Sequence, residues 1–168
     1  MIGQEKRADR EAVEALVQAA FAKACHADGN EHELVHALRE GTSFIPELSL
    51  VMEKDDQLVG HVLFTKAMVG KDTILCLAPL SVLPAVQREG IGSALVYEGH
   101  RRAIALGYTY SVVLGDPAYY GRFGYQKACL FGIIVPAGID EDYLMAIKLT
   151  EEAPSLCGKL VYAKEFGI

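Results

Sequence analysis

The fold class this sequence predicts is mixed α/β, or α+β: one central, mixed and mostly antiparallel sheet with helices on both of its faces. Two observations carry that expectation. Segments that alternate apolar and polar residues, and segments with apolar residues every three or four positions, follow one another as β-α-α-β-β-β-α-β-α-β-β, with a further short strand at the C-terminal end. In the middle of that order an apolar strand runs into a turn holding Gly90 and Gly92 and emerges as a helix. With 168 residues and a hydrophobic fraction of 51%, the sequence suits one domain, residues 1–168, around a substantial core.

A short strand is expected near Ile2 to Glu5. The helix after it has Asp9 as N-cap and Val13, Leu16, Val17, Ala20 and Phe21 as its apolar stripe, and ends before the turn cluster Asp28-Gly29-Asn30. A second helix covers about Glu31 to Glu40, with Leu34, Val35 and Leu38 inward, and stops at Gly41. Leu48 to Lys54 and Gln57 to Val69 read as strands joined by a hairpin turn at Asp55-Asp56. In the first of these, Leu48, Leu50 and Met52 share one face, and Ser49, Val51 and Glu53 the other. Thr73 to Val82 then feeds the glycine turn. Ile91, Leu95, Gly99, Ala103 and Leu106 mark one face of the following helix, which Gly107 terminates. Tyr108 to Leu114 is a strand by its Tyr, Thr and Val content, and Pro117 opens a short helix over Ala118 to Phe123. Strands near Gln126 to Val135, Tyr143 to Leu149 and Leu160 to Ala163 complete the order.

Composition narrows the function classes. A net charge of −6 argues against nucleic acid as a partner, because phosphate contacts need clustered Lys and Arg, and it mildly suits a cationic acceptor. No apolar run approaches membrane-spanning length, and the charged start at Glu5, Lys6, Arg7 and Asp9 is no signal peptide. Cys25, Cys76, Cys129 and Cys157 are widely spaced without a C-x-x-C pair. They are expected to be buried small hydrophobes in a reducing, cytoplasmic compartment rather than a disulfide frame or zinc site. The chain should fold alone or as a small oligomer such as a homodimer.

The strand, glycine turn and helix make an anion site. First-turn N–H groups have no partner within a helix, the helix dipole adds partial positive charge there, and glycine lets the backbone approach the anion closely. A P-loop would close with Gly-Lys-Ser/Thr, but Ser93 and Ala94 follow Gly92. A dinucleotide fingerprint would place a third glycine where Leu95 stands. Neither pattern fits.

The spacing Gln87-x-x-Gly90-x-Gly92 resembles the Gln/Arg-x-x-Gly-x-Gly/Ala signature of the GNAT superfamily of acyl-CoA N-acyltransferases. Leu80-Ser81-Val82-Leu83-Pro84 is similar to that family's fourth strand, and Tyr120-Gly121-Arg122-Phe123-Gly124-Tyr125 resembles its Tyr-x-x-x-Gly-Phe ending. Gly115 to Tyr125 and the closing Gly158 to Phe166 are also similar to a subgroup of largely uncharacterised N-acetyltransferases. The resemblance implies a GNAT-like sheet and an N-acetyltransferase. Such an enzyme moves an acetyl group from acetyl-CoA, without a metal, to a primary amine on a small molecule or peptide, by direct attack in a ternary complex. It further implies that the backbone of Leu80 and Val82 meets the pantetheine arm and that a backbone N–H near Val82 supports the thioester oxygen. Gln87, Arg88, Glu89, Gly90, Ile91, Gly92 and Ser93 would hold the pyrophosphate, and Tyr120 would be the acid for the leaving thiolate. Many members carry Asn seven residues before that tyrosine; Val113 stands there instead.

The chemistry also needs the acceptor nitrogen uncharged, and removing a proton from a lysine-like amine at neutral pH costs about 4 to 5 kcal/mol. Glu53, His61, His100 and Asp116, or water, are the candidates for that proton. Two other classes stand beside the transferase. A coenzyme A-binding module would keep the glycines without turnover. A zinc peptidase would use His32-Glu33-Leu34-Val35-His36, an H-E-x-x-H pattern on the second helix, but needs a third ligand the sequence does not offer. The plainer expectation for that helix is an amphipathic one with exposed histidines.

Overall fold

The computed structural model describes residues 1–23 and 29–168, so Cys25 and Asp28 lie outside the described residues. β1 (Ile2–Gln4) leads through a 3₁₀ turn, Arg7–Asp9, into α1 (Arg10–Phe21). Asp9 stands at the N-cap of α1 as expected, but its carboxylate makes no cap bond to that helix; it accepts from the Lys6 backbone N–H at 2.8 Å and closes the turn. α2 (Glu31–Glu40) ends at Gly41 as expected. β2 (Phe44–Lys54), β3 (Gln57–Val69) and β4 (Asp72–Val82) form an antiparallel meander. β2 begins earlier than alternation suggested: Phe44 already pairs with Thr65, but Pro46 cannot donate to the ladder and the register slips before Ser49, so the first residues of the strand do not alternate.

α3 (Ile91–Ala105), β5 (Tyr110–Leu114) and the short α4 (Pro117–Tyr120) follow, with a 3₁₀ turn over Gly121–Phe123 completing the helical stretch expected there. The single strand expected over Gln126 to Val135 is not one strand. β6 (Gln126–Lys127) and β7 (Ile133–Ile134) are separated by a 3₁₀ turn, Ala128–Phe131. Gly132 at φ 80° turns the chain there, and the Leu156 carbonyl occupies the space a Cβ would need. The segment thus folds back to pair with the C-terminal strand. β8 (Leu144–Lys148) and β9 (Gly158–Val161) close the fold.

The sheet order is β1-β2-β3-β4-β5-β8-β6, with β9 joined to the far end of β3 and β7 joined to β9. Pairing is antiparallel except for β4 with β5 and β7 with β9. Against one face lies α3, whose Ile91, Leu95, Val96 and Ala103 pack on Leu48, Leu50, Val62, Phe64, Leu75 and Leu77. Gly99 matters here: the Phe64 ring fills the place of a Cβ, so α3 rests directly on the sheet. Leu106, expected on this face, is 44% exposed at the helix end. Against the other face lie α1 and α2, with Val13, Val17, Val35 and Leu38 on Val51 and Leu63. Of the cysteines, Cys76 is buried but Cys129 and Cys157 are exposed, contrary to expectation, because both sit on the irregular C-terminal connections.

Two histidines are buried uncharged. Burial, and secondarily the nearby Arg39 guanidinium, hold His61 down to about 3, and burial holds His100 down to about 4. Unfolding releases both to the ordinary value near 6.5, so between that value and the folded ones the unfolded chain binds more protons. Stability is then lost as pH falls below about 6.5, by up to ~1.4 kcal/mol per pH unit for each histidine. The urea midpoint should therefore drop between about pH 7 and about pH 5, and drop less in His61→Gln. An equal decline in both proteins would place the acid sensitivity elsewhere.

Candidate active site

The site follows from where β4 and β5 part. These parallel strands pair only at Leu75 with Ser111 and Cys76 with Val112. Beyond that point β4 stays on β3, through a slip in the ladder between Val62 and Phe64, while β5 stays on β8. The strands diverge, and a cleft of about 760 Å³ opens at their C-terminal ends. Its walls are Leu80 and Val82 of β4, the turn from Gln87 to Ser93 apart from Glu89, and Asp116, Tyr119, Tyr120 and Arg122 after β5.

The turn is shaped for an anion. Arg88 at φ 68° and Gly90 at φ 85° both adopt the left-handed conformation, and Gly90 precedes α3 without any side-chain cap on the helix. The first amides of α3 consequently face the cleft with no partner inside the helix. Gln87 fastens the turn to its strand by donating from Nε2 to the Val82 carbonyl at 3.3 Å. Arg88 and Arg122 bring positive charge to opposite walls, and neither makes an ion pair among the described residues.

On the β5 side, Asp116 caps α4 by accepting from the Ala118 N–H at 2.9 Å. Gly115 has no room for a Cβ because the Tyr120 ring lies on it, and Gly92 has none because the Tyr119 hydroxyl lies there. Arg122 covers the Tyr119 ring with its guanidinium carbon 4.4 Å from the centroid. Tyr120 packs edge-on against Tyr119 and Tyr125, with centroids 4.9 and 5.9 Å apart. Burial first, then the neighbouring Tyr119 and Cys76, push the Tyr120 phenol well above its ordinary value, so it stays protonated. Burial also raises Tyr119, opposed by Arg122.

The structure brings Leu80, Val82, Gln87, Arg88, Gly90, Ile91, Gly92, Ser93 and Tyr120 onto one cleft. Glu89 is not part of that lining; its carboxylate holds Lys54 Nζ at 3.2 Å, tying the turn to the β2–β3 hairpin. Arg122 was missed by the sequence reasoning although it lies within the motif that singled out Tyr120, and Tyr119, the neighbouring alternative for the acid, lines the cleft as well. Val113 is buried among apolar residues and contributes no polar group. Of the base candidates, Glu53 is exposed at the hairpin and Asp116 is engaged as a cap. His100 Nε2 bonds the Tyr125 hydroxyl at 2.9 Å, and His61 is fully buried beside Ser49. On α2, His36 is exposed at the surface, whereas His32 is only half-exposed, since its first-turn position faces inward. Among the described residues no three His, Cys, Asp or Glu side chains gather as a metal site, and no helix is long and apolar enough to cross a membrane.

The sheet is thus split at the ends of two parallel strands, with a helix N-terminus and a tyrosine on opposite walls of the gap. Residues 46–127 match the family model described as an acetyltransferase (GNAT) domain. The chain is 33% identical to the uncharacterised N-acetyltransferase YjhQ of Escherichia coli K12 over 77% of its own length and 76% of that protein's. A GNAT family acetyltransferase from Brucella melitensis, solved in complex with acetyl-CoA, is 31% identical and superposes with TM-score 0.82, covering 99% of this chain and 97% of that one. The E. coli GNAT N-acetyltransferase YhbS, solved with CoA, is 29% identical with TM-score 0.90, covering 100% and 92%. The chain belongs to the GNAT family and is an acyl-CoA-dependent N-acetyltransferase.

Proposed function

We propose that the protein, a single domain over residues 1–168, transfers an acetyl group from acetyl-CoA to a primary amine by direct attack while both substrates are bound. The observation that carries this reading is the cleft itself: unpartnered α3 amides, an arginine on each wall, an edge of β4 free of β5 along its C-terminal half, and a protonated tyrosine across from the start of α3. Bound acetyl-CoA would supply the activated thioester. The α3 amides from Ile91 to Ser93, with Arg88 and Arg122, suit its phosphates. On the gap side the Leu80 peptide groups and the Val82 N–H are free, the Val82 carbonyl being held by Gln87, and these suit the pantetheine amides and the developing charge on the carbonyl oxygen. Tyr120, kept protonated by burial, suits the departing sulfur. Its raised proton affinity is no obstacle, because the same desolvation raises that of the thiolate.

The acceptor is a small-molecule or peptide amine, and the net charge of −6 agrees with a cationic one. Exposed free thiols at Cys129 and Cys157 agree with a reducing, cytoplasmic setting. The test is thiol release from acetyl-CoA across aminoglycoside, polyamine, amino-acid and peptide amines. Release with one class, matched by acetylated amine, is the expected result. Tight binding of coenzyme A with no release from any class would favour the non-catalytic binding module instead.

A further inference from the structure

Ser49, His61 and Ser81 stand side by side on β2, β3 and β4, on the face opposite α3. Alternation fixes this: Gly60, Val62 and Phe64 point toward α3, as do Leu80 and Val82, so His61 and Ser81 point away. His61 is directly opposite Ser81 in the ladder. All three side chains are shut off from solvent.

The hydrogen bonds here have a single consistent direction. Arg39, with its side chain 1% exposed, grips the Glu5 carboxylate with Nε and Nη2 and the Glu14 carboxylate with Nη1. Glu5 is thereby a charged acceptor. Ser49 has one hydroxyl hydrogen and donates it to Glu5 Oε1 at 3.1 Å. At its 3.0 Å contact with His61 Nε2 it can therefore only accept, which puts the imidazole hydrogen on Nε2. His61 Nδ1 is left with a bare lone pair, buried and without a partner, and the Ser81 hydroxyl across the ladder is likewise buried and without a partner among the described residues. Two such groups on paired residues of neighbouring strands are the polar lining that a buried water needs.

We propose that His61 Nδ1 and Ser81 Oγ hold a buried water between them, and that this water passes the acceptor amine's proton to His61. The relay presupposes the acyl-transfer reading above. It lies within one strand of the chemistry: Ser81 falls between cleft-lining Leu80 and Val82, where β4 has no β5 neighbour. As the bond from nitrogen to the acetyl carbon forms, the nitrogen becomes a strong acid. Its N–H bond breaks to the water, a water O–H bond breaks to Nδ1, and the imidazolium is stabilised through Nε2–H, Ser49 and Glu5. When product leaves, Nδ1 returns the proton to the water and thence to solvent. No electrons are exchanged. Burial and Arg39 hold His61 down to about 3, so Nδ1 is uncharged and open at every working pH and keeps the proton only for the moment before it is passed on. The charged groups bearing on it are Arg39, Glu5 and Glu14, with His36 beyond Glu14 at the surface.

The test pairs a high-resolution crystal structure with kinetics on spermidine, lysine methyl ester and an alanyl peptide. The structure should show a water touching both Nδ1 and Ser81 Oγ; an empty or apolar contact there overturns the relay. In His61→Gln the amide nitrogen can still donate to Ser49, so the melting temperature, acetyl-CoA affinity and acceptor KM should hold. In that variant kcat should fall about 10²-fold. The rate in mixed H₂O and D₂O should bow with deuterium content in the wild type and become linear in His61→Gln. Ser81→Ala, which removes one partner of the water, should lose at least about tenfold in kcat and serves if His61→Gln fails to fold. Undiminished kcat in both variants, or a loss confined to KM and stability, would overturn the relay while leaving acetyl transfer standing. A wild type that binds coenzyme A but acetylates none of the three amines would overturn the transfer reading itself, and the relay with it.

Discussion

Tyr120→Phe is expected to lower acetyl transfer by about 10² to 10⁴-fold while leaving acetyl-CoA affinity nearly unchanged, the range for loss of a general acid. The ring, its edge-on contacts with Tyr119 and Tyr125 and its seat on Gly115 all survive the change, so the fold should too. Only the hydroxyl goes. Tyr119→Phe is the control: its hydroxyl sits over Gly92 at the start of α3, a place suited to phosphate binding, so its loss should appear in affinity more than in turnover. A damaging Tyr119→Phe beside a fully active Tyr120→Phe would move the acid to the neighbouring residue. If neither mattered to turnover, water would have to protonate the sulfur.

Gly90→Val should weaken coenzyme A binding by at least about tenfold, measured by calorimetry. Nothing in the protein crowds a side chain at Gly90, so the effect comes from the backbone. A β-branched residue is strained at φ 85° by roughly 1 to 3 kcal/mol, and relieving that strain turns the Glu89–Ile91 segment out of the shape that presents the α3 amides. Melting temperature should fall by no more than this strain accounts for, roughly 2 to 10 °C, because Gly90 packs against no other element. Equal affinities for the two proteins would mean that the turn is not the phosphate site.

Much of this site could be read from the residues alone because local rules decide it. Strand alternation, a helix beginning after a left-handed glycine and a proline at the start of α4 each act over a few neighbouring residues. The split between β4 and β5 was not legible in that way. It depends on which strands pair and where pairing stops, and that is settled by contacts between residues far apart in sequence, such as Cys76 with Val112. The same limit explains β6 and β7, whose apolar run looked continuous but is broken by the packing of Gly132 against Leu156. Arg39 shows the converse. An arginine on an amphipathic helix reads as surface until Glu5, just after β1, and Glu14 of α1 are seen to enclose it. His61 likewise looked like one base candidate among four, and only its neighbours across the sheet set it apart.

Hydrogen exchange with and without coenzyme A tests the location of the site most directly. Slowed exchange at the amides of Leu80 to Val82 and of Gly90 to Ser93, together with the segment from Asp116 to Arg122, is the predicted result. Protection centred instead on α2, around His32 and His36, with the β4 edge and the start of α3 unaffected, would contradict it.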